Sequence, residues 1–75
     1  MTQDTFSVIL VLATSHAMRA EKILAQADIP RKLIPVPRHL SSNCGVCVRV
    51  RRADQEVAAQ TLEAAQIEMK GVHNI

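Results

Sequence analysis

IPRKLIPVPRHLSSNCGVCVRVRRAD, residues Ile29 to Asp54, is the stretch that decides the fold. Near its start, Lys32 to Val36 is a short β-like run closed by Pro35 and Pro37, which suits an edge strand that gives way early to a loop. Near its end, Val46, Val48 and Val50 alternate with Cys47, Arg49 and Arg51, the period-two pattern of a half-buried strand. Ser41, Ser42, Asn43 and Gly45 between them are turn-forming residues. Two strands joined by one loop therefore sit in the middle of the chain.

The flanking sequence is helical in period on both sides. Upstream, Phe6 to Leu12 is apolar on both alternating faces and rich in β-branched residues, as a central strand requires. Ser15 is placed to cap a helix whose apolar stripe is Ala17, Ala20, Ile23, Leu24 and Ala27, and Pro30 ends it. Downstream, Asp54 opens a second helix with Glu56 in its first turn and the stripe Val57, Ala58, Thr61, Leu62 and Ala65. Met69, Val72 and Ile75 mark a final short strand within Glu68 to Ile75, interrupted by Gly71. The predicted order β-α-β-β-α-β is that of a ferredoxin-like α+β domain over residues 1–75: a four-stranded antiparallel sheet with two helices on one face. The other face is expected to carry Ile9, Val11 and Leu33, apolar enough to predict a partner or a homodimer.

Composition narrows the function. The chain has 75 residues, with 48% hydrophobic against 21% charged, and this predicts one small globular domain. Phe6 is the sole aromatic residue, so binding modes that stack bases on several rings are not expected, and neither is a nucleic-acid partner. Two cysteines cannot form a dense disulfide scaffold. The apolar run from Phe6 to Ala13 is preceded by Asp4 and by no Lys or Arg, unlike a signal peptide, and no run reaches the length of a membrane span. A cytoplasmic protein with reduced thiols is the expectation.

Net charge is +2, but it is unevenly spread. Residues 29–53 hold six cations (Arg31, Lys32, Arg38, Arg49, Arg51, Arg52) and no acid, while the rest of the chain sets three cations against all seven acids, a balance of −4. Both cysteines lie in the cationic block. Cys44 falls on the loop just before a strand, where Arg38, His39, Arg49, Arg51 and Arg52 supply positive potential; nearby cations favour the thiolate, the nucleophilic form of cysteine. Cys44 is therefore the candidate nucleophile, with His39 able to tune or deprotonate it near neutral pH. Ser41 and Ser42 could donate hydrogen bonds to a bound sulfur anion, and Gly45 lets the main chain approach a ligand.

Cys47 admits three readings. As a resolving thiol it would pair with Cys44, but three extended residues span roughly 10 Å and face opposite sides, whereas a disulfide needs Cα atoms within about 7 Å. As a metal ligand it would join Cys44, yet a zinc site needs four donors and would have to add His39 or a second chain. As a small residue packed on the sheet it needs nothing further. No cofactor is called for. His16 reads as structural or exposed and His73 as solvated. Asp54 and Glu56 are explained by helix capping, and Gly45 and Gly71 alone make no phosphate loop.

The run PVPRHLSSNCGVCVRV, Pro35 to Val50, preceded by a β-α-β reading with Ser15, His16, Ala17, Ala20 and Glu21 on the helix, resembles the selenium/sulfur carrier-like family. These are small bacterial and archaeal domains marked by Pro-x-Pro-Arg followed by Ser-Ser-x-Cys-Gly. The resemblance implies that Cys44 is the family's cysteine, with Pro37, Arg38, Ser41, Ser42 and Gly45 as its motif neighbours and Cys47 outside the shared motif. It implies a thiol carrier that bears a persulfide or selenopersulfide between donor and acceptor proteins, rather than a turnover enzyme. Two readings from other classes stand beside it: a metal-binding or redox module built on Cys44 and Cys47, and a thiol-independent module that binds an anionic partner.

Overall fold

Two strands lie between two helices, as the Ile29–Asp54 stretch requires. In a computed structural model, which describes residues 5–37, 40 and 45–75, the elements are β1 (Phe6–Val11), α1 (Thr14–Gln26), β2 (Arg31–Pro35), β3 (Val46–Arg51), a 3-10 turn (Arg52–Asp54), α2 (Gln55–Ala64) and β4 (Met69–Asn74). The strands form one sheet in the order β2-β3-β1-β4, and every pair is antiparallel. This is the ferredoxin-like arrangement. β2 is an edge strand, where Pro35 and its missing N–H are tolerated.

Residues directly opposite in a ladder share a face, so the register assigns every side chain to one side of the sheet. Ile9 opposes Val48, and Ser7 opposes Val50. These residues face the helices: Ile9, Val11, Val48 and Val50 are buried with Ala17, Ala20, Leu24, Ala58 and Leu62 in the main core. The alanines let both helices approach the sheet closely. Ser7 is the buried polar exception, its hydroxyl 2.6 Å from Gln55 Oε1 and 2.9 Å from Asn74 Oδ1, so a short network ties β1 to α2 and β4.

The structure reverses the expected identity of the second face. Ile9 and Val11 lie under the helices, and it is Val8 and Leu10 that point the other way, together with Cys47. Nor is this face bare: Ile34, Val36 and Leu40 pack against that cluster, leaving Val8, Leu10 and Cys47 no more than 4% exposed. Leu33 opposes Val48 and so belongs to the helix side, but at the sheet edge it stays 37% exposed.

Helix ends depart from the sequence reading at their starts. α1 begins at Thr14 with extended Ala13 as its N-cap, whose carbonyl accepts from the His16 and Ala17 amides, so Ser15 lies inside the first turn and caps nothing. Asp54 does sit at the N-cap of α2, yet its carboxylate accepts from Arg51 Nε at 2.9 Å instead of capping. The C-termini match each other. Asp28 and Gln66 each take a positive φ, 59° and 64°, and the next residue returns an amide to the carbonyl five back: Ile29 to Leu24 and Ile67 to Leu62. In each Schellman-type closure the following isoleucine is buried.

The final strand, Met69–Asn74, pairs with β1 through a register shift between Leu10 and Val11. Val72 and Met69 join the helix-side core, while Gly71 and His73 oppose Leu10 and Val8 on the second face. A Cβ at Gly71 would lie 3.0 Å from His73 Nε2, so the absence of a side chain there makes room for the exposed imidazole.

Candidate functional site

The connection from β2 to β3 carries the sequence-predicted site, and its base is fixed. The Val36 amide donates to the Gly45 carbonyl at 3.1 Å, one step past the Pro35–Val46 pair, so the ladder continues across the mouth of the loop. Gly45 has a φ of +79°, a left-handed conformation that suits glycine, and nothing lies within 4 Å of where its Cβ would be. The chain therefore bends at the residue that follows Cys44. On the other side, Pro37 is half-buried and its carbonyl accepts from the Leu40 amide at 3.0 Å, which turns the chain back towards the sheet. Leu40 then packs on the cluster of Val8, Leu10 and Cys47.

Of the predicted site residues, Pro37, Gly45 and Cys47 have described positions; Arg38, His39, Ser41, Ser42 and Cys44 lie outside the described residues. Cys47 is fully buried on the second face, opposite Ile34 and beneath the loop. That environment is apolar, the packed-residue setting anticipated as one of its three readings. Pairing of Cys44 with Cys47, and a zinc site using Cys44 or His39, both turn on residues outside the described set. Among the described residues no cluster of three or more His, Cys, Asp or Glu side chains could hold a metal ion.

Arg49 and Arg51 share the face of Cys47, as the alternation predicts, and the register adds Lys32, which opposes Arg49. The cations differ in their commitments. Arg31 is held by Glu21, with Nη2 2.9 Å from Oε2, and Arg51 by Asp54. Arg49 instead lies over the Phe6 ring, its guanidinium carbon 4.0 Å from the centroid. Sequence reasoning missed this contact, because Phe6 meets Arg49 only diagonally across the ladder, where Phe6 opposes Arg51 and Val8 opposes Arg49. It also missed Leu40 as the residue that seats the loop.

The family model described as "Putative Se/S carrier protein-like" matches residues 7–74. The chain belongs to that family. Neither the curated proteins nor the solved structures gave a match. The match runs from the second residue of β1 to the last of β4, so in this Se/S carrier-like chain it takes in the whole sheet as well as the loop between β2 and β3. No helix among the described residues is long and apolar enough to cross a membrane.

Proposed function

We propose that the chain is a thiol-based carrier of sulfur or selenium, with Cys44 as the loaded residue. The observation that carries this reading is the family match over residues 7–74, which includes the Pro-x-Pro-Arg and Ser-Ser-x-Cys-Gly run around Cys44. The fold is compatible with it: the β2–β3 connection that carries Cys44 is anchored at Val36, Leu40 and Gly45. Arg38, in the same connection as Cys44, would hold the anionic terminal atom by charge-assisted hydrogen bonds.

Loading is an exchange without net oxidation. The Cys44 thiolate attacks the terminal sulfane sulfur of a donor persulfide; a new S–S bond forms, the donor's S–S bond breaks, and the donor cysteine leaves as a thiolate. Delivery repeats the step, with an acceptor nucleophile taking the terminal atom and Cys44 leaving as thiolate. A selenopersulfide follows the same balance. Low thiol pKa values aid both halves, since the thiolate is attacker in one and leaving group in the other. A cytoplasmic setting, which keeps thiols reduced, suits this chemistry.

The deciding test is intact mass after incubation with a cysteine desulfurase and cysteine, followed by peptide mapping. One reductant-labile sulfur on Cys44 is the expected result. Cys44→Ser abolishes loading, while Cys47→Ser, with Cys47→Ala as the better-packed companion, keeps most of it. Loading that survives in Cys44→Ser overturns the assignment, and equal loss in both cysteine variants replaces it with a paired-cysteine module.

A further inference from the structure

We propose that the cationic half of the second sheet face docks a carboxylate-bearing protein surface, with Arg49 as the anchor. That the docked protein is a sulfur donor or acceptor rests on the carrier reading; the docking itself does not.

The second face has two unlike halves. Towards the β2–β3 loop the row Ile34, Cys47, Leu10, Gly71 is apolar and covered by Val36 and Leu40. One rung away, the row across all four strands reads Lys32, Arg49, Val8, His73, and beyond it Arg51 opposes Phe6. Lys32, Arg51 and His73 are exposed and Arg49 is half-buried. None of the four strands contains an Asp or Glu, so no carboxylate of the sheet competes for these cations. Of the described acids, Glu56 and Glu63 are on α2, which packs on the opposite face, and Glu21 and Asp54 are engaged by Arg31 and Arg51.

Arg49 has the attributes of an anchor. Neither ion pair among the described residues uses it, and the Phe6 ring holds its guanidinium in place, so little side-chain freedom remains to be lost on binding. Beside it, Phe6, Pro30, Arg31, Val50 and Arg51 complete a cleft of about 120 Å³. That is well below the roughly 300 Å³ at which small-molecule sites begin, and it suits a single acidic side chain reaching in from a partner. A guanidinium meets a carboxylate in a planar, two-pronged fashion. Single-stranded nucleic acid fits less well, because Arg49 covers the ring of Phe6 and the chain has no second aromatic residue on which a base could stack.

The test uses the full chain, a fluorescein-labelled oligoglutamate peptide and an oligouridylate of equal charge, read by anisotropy and amide chemical shifts. The peptide is expected to shift the Phe6, Lys32, Arg49 and Arg51 amides. Arg49→Glu should weaken it about tenfold and Lys32→Glu about threefold, whereas Arg19→Glu, the same charge change on α1, should cost less than about twofold. Lys32 is exposed, so its variant carries the test alone if Arg49→Glu unfolds. Equal weakening by Arg19→Glu reduces the effect to diffuse attraction and overturns the proposal, as does tighter binding of the oligouridylate through the same residues. Cys44→Ser should bind the peptide as the wild type does. Lost docking with intact sulfur loading therefore overturns this proposal alone, and intact docking with loading in Cys44→Ser overturns the carrier reading alone.

Discussion

On one side of the sheet, Ile9, Val11, Val48 and Val50 lie beneath two helices that contribute Ala17, Ala20, Leu24, Ala58 and Leu62. On the other, Val8, Leu10 and Cys47 are buried with Ile34, Val36 and Leu40 packed against them, and the row of Val8 also carries Arg49 and Lys32. Both sets are buried to within a few per cent, so solvent exposure alone does not separate them. What separates them is the depth of the cover. A layer of helices holds its side by many packed residues, whereas among the described residues Ile34, Val36 and Leu40 pack on the other, where Lys32, Arg51 and His73 stay exposed. The larger buried cluster lies on one face and Arg49 and Arg51 on the other.

Substitutions can break that contrast in order of size. Leu62→Ala, in the helix layer, is expected to cost about 3 to 4 kcal/mol, a large part of the stability of so small a domain. Its urea transition should shift almost to zero denaturant. Leu10→Ala, buried under the loop, should cost about 2 to 3 kcal/mol in the same measurement. Leu40→Ala should cost only about 1 kcal/mol, because it uncovers the second face without emptying the first. In that variant, hydrogen exchange at the Val36 amide should quicken while the α1 and α2 amides stay as they were. If Leu40→Ala is as costly as Leu62→Ala, the two faces are equally deep and the contrast is wrong.

Two smaller effects sharpen it. Gln66→Gly should stabilise by about 0.5 to 1 kcal/mol, since the left-handed position after α2 penalises a Cβ, and thermal unfolding would show the gain. Asp54→Asn removes an ion pair whose arginine is largely solvated and should alter stability by less than about 0.5 kcal/mol. A larger loss would mean that the Arg51–Asp54 contact organises the start of α2.

The order of elements was legible because β3 alternates valines with polar residues and both helices carry alanine and leucine at spacings of three and four. The facing of β1 was not. FSVILV is apolar at odd and even positions alike, so only its pairing with β3, Ile9 against Val48, determines which residues meet the helices. The missed cap has a similar cause: Ser15 is a good capping residue by type, but the chain leaves β1 sooner and Ala13 already holds the extended conformation a cap needs. The motif around Cys44 could be read from residue types and family resemblance. The gathering of Lys32, Arg49 and Phe6 could not, because it depends on a register that no one strand encodes.

The hydrogen bond from Val36 to Gly45 also bears on how related chains can differ in length. Deleting one residue inside Val46–Arg51 would exchange the faces of everything beyond it, carrying arginines under the helices and valines into water. An extra residue between Pro37 and Gly45 does neither, because the Val36–Gly45 contact closes the ladder before the added residue is reached. Length is therefore fixed within the strands by register, while the Val36–Gly45 closure uncouples the strands from the length of what lies between them.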